Sequence, residues 1–229
     1  MIPTVDRETW WTARRAFLDE EKEFTRARDR LSARRRELPM TEVSKTYTLR
    51  GPEGPVGLED LFAGRRQLIV YHFMAKFSPT EWCPICSFWV DNIGHLAHFR
   101  ARDTEIVVVS PEDLADGLAY RDAMGWSLPW YSCADSDFYD DLHQVLDDGG
   151  EPEAPGISAF LRDEGRVLYA YSTFRRGSDI LNGTYNYLDI TPLGRQETDP
   201  EDPMGWLRPH DSYDGACDTA DERACGCHA

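Results

Sequence analysis

Apolar residues recur every seven positions near the start of the chain: Trp10, Phe17, Phe24, Leu31 and Leu38, with Ala13 and Ala27 beside them. This spacing predicts one long helix over residues 6–38 carrying a narrow apolar stripe. Asp6 is placed to cap its start, and Pro39 marks its stop. Asp19, Glu20, Glu21 and Glu23 lie mid-helix. Arg26, Arg28, Arg30, Arg34, Arg35 and Arg36 crowd the C-terminal half, where positive charge suits the negative end of the helix dipole. The stripe fits packing along the chain's own domain or the seam of a homodimer.

The period then changes to two. Val43, Tyr47 and Leu49 predict a strand, and the Gly51–Pro55 stretch a turn. Leu58 to Phe62 predicts a short helical turn closed by Gly64. Gln67 to Phe73 and Thr104 to Ser110 are continuous apolar runs, as expected of strands buried on both faces. Between them Pro84 to Ala101 reads as a helix; Glu112 to Met124 reads as a second. Tyr131 to Leu146 reads as loop and helix. Ile157 to Leu161 and Arg166 to Tyr171 flank the turn Asp163-Glu164-Gly165 and predict a hairpin. Residues 178–188 predict a last helix. The order demands a parallel strand–helix–strand unit followed by antiparallel strands. It divides the chain into an N-terminal helix (1–39), an α/β domain (40–190) and a C-terminal extension (191–229) that runs over the surface or frays.

Composition narrows the function. The chain has 229 residues, 41% of them hydrophobic, enough for a sizeable core. Forty-one acidic against 25 basic residues give a formal charge of −16, which repels phosphate backbones and argues against nucleic acid or an anionic membrane as partner. No apolar run is long enough to span a bilayer. The first residues lack the basic and apolar regions of a secretory signal, so the expected compartment is the reducing cytoplasm.

There a close cysteine pair reads as catalytic or metal-binding rather than structural. Cys83 and Cys86 form such a pair, within Trp82-Cys83-Pro84-Ile85-Cys86, after a buried strand and at the start of a helix. Pro84 is at home in a first helical turn. A thiol at a helix N-terminus is acidified by unpaired N–H groups and the dipole. The pattern therefore predicts an exposed nucleophile, Cys83, and a shielded resolving thiol, Cys86, one turn deeper. The alternative is half of a zinc site, which needs further ligands nearby.

A strand, Trp-Cys-x-x-Cys and a helix resemble the active site of thioredoxins. Pro155, just before the third apolar strand, stands where such proteins carry a cis-proline facing the cysteines. The resemblance implies that the backbone of Ala154 pairs with an extended substrate and that Trp82 covers Cys83. It also implies that His72, near the end of the first buried strand, accepts a proton from Cys86. Tyr71 is the neighbouring alternative, since adjacent strand residues face opposite ways. The stretches QLIVYHFM, CPICSFWVD, MGWSLPW, SDFYDD, YSTFRRG and LNGTYNYLDITPLGR resemble the bacterial thioredoxin-like family DUF899, whose members are described as predicted dithiol–disulfide oxidoreductases. This likeness covers about residues 8–213 and implies a thioredoxin-like α/β fold, a disulfide- or thiol-containing substrate, an electron donor and no required cofactor. Thr80, three residues before Cys83, resembles the threonine of peroxiredoxins and keeps a thiol peroxidase as the second reading, although Pro79 is at the wrong spacing.

The remaining thiols are Cys133, expected to be a small buried residue, and a terminal group of Cys217, Cys225, Cys227 and His228. Three thiols and an imidazole fit a soft metal such as Cu(I), or zinc. They fit equally well a tethered dithiol that passes electrons to Cys86 and Cys83, or a tail with no part in the chemistry. A non-enzymatic Cu- or Zn-binding protein is the reading from a different class.

Overall fold

A computed structural model describes residues 2–143 and 155–213. Its first helix, α1 (Arg7–Arg35), begins where the Asp6 carboxylate accepts the backbone N–H groups of Glu8 and Thr9, each at 2.9 Å. Those are two of the donors that the first turn leaves without helical partners. Arg34 and Arg35 occupy the last turn. No residue of α1 is buried, and Trp10, Phe17, Phe24 and Leu31 are each about half exposed or more. The chain divides into two compact units, Met1–Met40 and Thr41–Ala229.

The second unit is built on a mixed sheet, with eight strands among the described residues. They are β1 (Thr41–Glu42), β2 (Thr48–Gly51), β3 (Gly54–Gly57), β4 (Gln67–His72), β5 (Thr104–Ser110), β6 (Trp130–Ser132), β7 (Gly156–Asp163) and β8 (Arg166–Phe174), in the spatial order β1-β8-β7-β4-β5-β6-β2-β3. The helices are α2 (Pro84–Asp91), α3 (Leu96–Arg100), α4 (Leu114–Ala123), α5 (Phe138–His143) and α6 (Gly183–Leu188). β4 runs parallel to β5, with His72 opposite Val109, and antiparallel to β7, with His72 opposite Gly156. Every residue of β5 is buried. At about 1.5–3 kcal/mol for each fully buried Val side chain, Val107, Val108 and Val109 alone make it a strong organiser of the sheet. Glu164 and Gly165, both in the left-handed region, close the β7–β8 hairpin as the twist of its strands requires.

Alternation along β4 divides the core. Leu68 and Val70 join Leu49, Phe62, Val107, Val109 and Phe138 on one face. Tyr71 and Phe73 join Cys83, Cys86, Trp89, Val108, Trp130 and Leu207 on the other.

The elements depart from the sequence expectations at several places, three of which bear on the cysteine side of the sheet. The helix expected over 84–101 is two helices. Asn92 ends α2, donating to Phe88 O (2.8 Å) while its Oδ1 accepts the Thr184 N–H (2.7 Å) and hydroxyl (2.9 Å). That side chain competes with the helical backbone and ties α2 to α6. A short strand, β6, precedes α5 where loop was expected. And the stretch after 190 does not merely run over the surface, because Leu207 is 1% exposed within the cysteine-side core.

Gly156 is where close packing is most demanding. A Cβ there would meet Phe174 Cδ1 at 2.1 Å, and that ring is buried. Gly156→Ala is expected to destabilise the protein by about 1–3 kcal/mol. A urea melt of both proteins, comparing midpoints at constant slope, checks this.

Candidate active site

After β4 the chain passes Phe73 and Met74, loops out, and returns at Trp82. Cys83 is the N-cap of α2, in extended conformation, and Pro84 takes the first helical position. Its Sγ accepts the Cys86 N–H at 3.3 Å. Its carbonyl accepts the Ser87 N–H at 3.1 Å and the Ser87 hydroxyl at 3.0 Å. Cys86 lies one turn further, and its Sγ accepts the Met74 N–H at 3.4 Å. The Met74 Sδ sits 3.8 Å from Cys83 Sγ. Both cysteines are free thiols with no solvent exposure. The expectation of an exposed Cys83 is thus corrected: its sulfur turns back onto the helix N-terminus and against Met74 instead of outward.

The two thiols are nevertheless unlike. Cys83 is held below the usual thiol range, first by the hydrogen bond from the Cys86 thiol and then by the N–H groups of Cys86 and Ile85, all against the cost of burial. Cys86 is pushed well above that range by burial and by the adjoining Cys83; the Met74 N–H and the Tyr71 hydroxyl oppose this only in part. Tyr71 is itself 1% exposed, and its hydroxyl has no oxygen or nitrogen partner among the described residues. Burial and the neighbouring Cys86 and Cys83 raise its own ionisation well above the phenol range. It therefore stays protonated, able to donate toward the Cys86 sulfur.

His72 is separated from this pair. Its Nε2 lies 2.7 Å from Ser158 Oγ, and its ring packs near Phe138, Tyr139 and Phe174, on the opposite side of the sheet from Tyr71. Strand parity decides this, and it gives Tyr71 the position beside Cys86.

Trp82 stacks on Tyr120, with ring centroids 4.7 Å apart and planes 5° from parallel. Lys76 Nζ stands 5.3 Å from the Trp82 ring and pairs with Asp116 (2.5 Å) and Glu112 (3.6 Å). The Tyr120 hydroxyl is 2.7 Å from Ser87 Oγ. Since Ser87 donates to the Cys83 carbonyl, Tyr120 donates to Ser87, and the Trp82 stack is joined to the Cys83 backbone. The sequence gives no pattern that marks Met74, Ser87 or Tyr120; each reaches the site only through the fold.

Pro155 is half-buried next to Gly156, and its carbonyl accepts the Arg175 N–H at 3.1 Å. Ala154 lies outside the described residues, and with it the peptide bond to Pro155; no cis peptide occurs among the described residues. Cys217, Cys225, Cys227 and His228 also lie outside them. Among the described residues no group of three or more His, Cys, Asp or Glu side chains could hold a metal ion, and no helix is long and apolar enough to cross a membrane. Cys133 is buried, its Sγ donating to Ser110 O at 3.3 Å, and burial pushes its thiol up to about 12.

A strand leading to Cys-x-x-Cys at a helix N-terminus, a parallel partner strand and an antiparallel hairpin on the other side define a thioredoxin-like protein. The chain belongs to the family of bacterial proteins of unknown function DUF899, whose profile it matches over residues 1–213. No curated protein matches it. Among solved structures it is similar to a PrxQ mutant of Xylella fastidiosa (13% identity, TM-score 0.41, 66% of this chain and 93% of that one). It is also similar to the bacterioferritin comigratory protein of Xanthomonas campestris (12%, 0.42, 66% and 94%). A third is a yeast mitochondrial 1-Cys peroxiredoxin (15%, 0.39, 66% and 78%).

The asymmetry of the thiols sets their reactivity with pH. Iodoacetamide labelling of the reduced protein is expected to modify Cys83 first, at a rate that levels off below the pH where an ordinary thiol ionises. Cys86 should stay unlabelled until strongly alkaline pH, and Tyr71→Phe should push its labelling to still higher pH. Because the lost hydroxyl is buried without an oxygen or nitrogen partner, the same variant should keep or slightly raise stability. Peptide mapping across pH, with a urea melt, checks all four.

Cys86 and Cys133 bind their protons more tightly folded than unfolded. Their contribution to stability is therefore complete below the unfolded thiol range, near pH 8.5, and is lost as pH rises toward the folded values. Each thiol should cost up to about 1.4 kcal/mol per pH unit in that window. Cys133→Ala should flatten the alkaline limb of a stability–pH curve by one proton's slope.

Proposed function

We propose that this protein is a dithiol–disulfide oxidoreductase working through Cys83 and Cys86. The observation that carries the reading is the placement of two free, buried thiols one helical turn apart: Cys83 as the N-cap of α2, accepting the Cys86 N–H, and Cys86 deeper in the core, accepting the Met74 N–H. In the reducing direction the Cys83 thiolate attacks a substrate disulfide, forming a mixed disulfide and expelling one substrate sulfur as thiolate. Cys86 then attacks Cys83 Sγ, the second substrate sulfur leaves, and the proton lost from Cys86 ends on a substrate thiol. The charge growing on Cys86 is met by the Met74 N–H and the Tyr71 hydroxyl. The product is a Cys83–Cys86 disulfide, which an external dithiol donor must reduce.

His72 takes no part in this scheme. Trp82, stacked between Tyr120 and the Lys76 ammonium, forms the rim that a substrate meets next to Cys83. With a formal charge of −16, the protein is suited to partners other than polyanions.

The test uses insulin disulfides as substrate and dithiothreitol as donor. Cys83→Ser is expected to fall to the uncatalysed rate. Cys86→Ser should instead accumulate a covalent Cys83–substrate disulfide, visible by mass spectrometry without reductant. Rapid consumption of hydrogen peroxide by the wild type, with no insulin reduction, would replace this reading by the thiol peroxidase.

A further inference from the structure

We infer that Met74 is a repairable oxidation site: its sulfoxide, once formed by a hydroperoxide, is reduced in place by the Cys83–Cys86 pair. The inference rests on the dithiol reading above and names a substrate that the protein carries in its own chain. Met74 lies just past the end of β4. Its Sδ accepts the Cys83 thiol at 3.8 Å, and its backbone N–H donates to Cys86 Sγ at 3.4 Å. One residue thus touches both sulfurs of the pair. Of the three residues only Met74 is partly exposed; the two cysteines have no solvent exposure. A small oxidant arriving from solvent therefore meets Met74 first. No other methionine among the described residues has a thiol as its partner.

Sulfoxide formation turns a flexible apolar side chain into a polar one. At Met74 the added oxygen intrudes on the contact that closes over Cys83, so a lesion left in place disturbs the nucleophile. The same contact supplies the remedy. A sulfur–sulfur separation of 3.8 Å is only slightly longer than the distance of about 3–3.5 Å from which reacting atoms bond. Methionine's rotatable bonds let the sulfur turn toward the thiolate while the bonded N–H holds the residue in place. The exchange balances. A hydroperoxide gives one oxygen to Met74 Sδ and leaves as the alcohol, or as water from hydrogen peroxide. The Cys83 thiolate then attacks the sulfoxide sulfur. The S–O bond at Met74 breaks, and the oxygen ends on Cys83 Sγ together with the thiol proton. Two electrons have passed from Cys83 to Met74, which is a thioether again. Cys86 attacks the sulfenic acid at Cys83; a Cys83–Cys86 disulfide forms, and the oxygen leaves as water with the proton of Cys86. The external dithiol of the reading above reduces that disulfide.

The experiment uses the full-length chain. Wild type and Cys83→Ser are treated with diamide, which closes the Cys83–Cys86 disulfide of the wild type and shields its thiols. Hydrogen peroxide then oxidises the methionines, catalase removes the peroxide, and dithiothreitol reopens the pair and starts the reaction. Peptide mass spectrometry follows the sulfoxides of Met74 and of the exposed Met40, which has no thiol beside it and serves as the internal control. Wild-type Met74 sulfoxide is expected to fall at least about twofold, since attack from a fixed side selects one sulfoxide epimer, while Met40 sulfoxide persists. Cys83→Ser should keep both; a urea melt establishes that it is folded, and thiol labelling establishes that the wild-type pair has been reduced. Met74 sulfoxide that falls no further than that of Met40, or falls equally in Cys83→Ser, overturns the inference. So does a Met74 that resists peroxide while Met40 is oxidised. Insulin reduction by the unoxidised wild type is measured in parallel. Insulin reduced without repair of Met74 leaves the dithiol reading standing; neither insulin reduction nor repair overturns both.

Discussion

An acidified thiol with no access to water is the constraint on which this structure turns. Burial alone would drive both sulfurs to the protonated form. What separates them is first the hydrogen bond from the Cys86 thiol to Cys83, and then a difference of one helical turn. Cys83 caps α2, where backbone N–H groups have no carbonyl to bond, and it takes the N–H of Cys86. Cys86 sits past that region, and from outside the helix the Met74 N–H and the Tyr71 hydroxyl meet its sulfur. The favourable charge–dipole interaction at a helix end is worth about 0.3–1 kcal/mol when exposed and up to about 2 kcal/mol when partly buried. It acts on one sulfur and largely misses the other, so a single proline-started turn makes two chemically distinct thiols from one residue type.

The rest of the unit holds that turn in place. β4 must end where α2 begins, and its parallel pairing with the fully buried β5 fixes it. Met74, just past the strand, then contributes its N–H to one cysteine and its sulfur to the other. On the outer side, Ser87 receives Tyr120 and donates to the Cys83 carbonyl, coupling α4 to the cap. Tyr120 in turn carries Trp82 on its face. A shift in α4 would therefore be felt at the rim and at the nucleophile's own backbone.

Much of this was legible in the sequence, and the reasons for the rest are physical. Long apolar runs announced β4 and β5, the Asp-Glu-Gly turn announced the hairpin, and Asp6 announced the start of α1. The Cys-x-x-Cys spacing located the site because its chemistry depends on local geometry, a cap and one turn. Whatever depended on parity or on distant packing was harder. His72 and Tyr71 are adjacent and both able to move protons; only the register of β4 against β5 and β7 tells which one faces the cysteines. The break at Asn92 was invisible because its cause, Thr184, is 92 residues away. The burial of Cys83 leaves no mark in the local sequence, because a helix N-terminus in isolation faces solvent, whereas here Met74 closes against it.

The segment after residue 190 shows how weak local pattern can conceal a structural part. Its Pro, Gly and Asp content gives no periodicity, yet Leu207 is packed on the cysteine face together with Met204, Tyr185 and Trp130. Asp91, the last residue of α2, accepts the Trp126 indole N–H at 2.7 Å and lies 2.8 Å from His210 Nδ1. One carboxylate thus joins the far end of the cysteine helix, the loop after α4 and the C-terminal strap. The anchors of that strap are the buried Leu207, the partly buried Met204, the Trp206 ring against Phe88 (centroids 5.7 Å apart) and polar contacts, rather than a helix or strand. Continuous secondary structure would have carried the chain in the direction of its own axis; the irregular strap instead brings Leu207, Arg208 and Ser212 to the cavity that Trp82 and Pro84 also line.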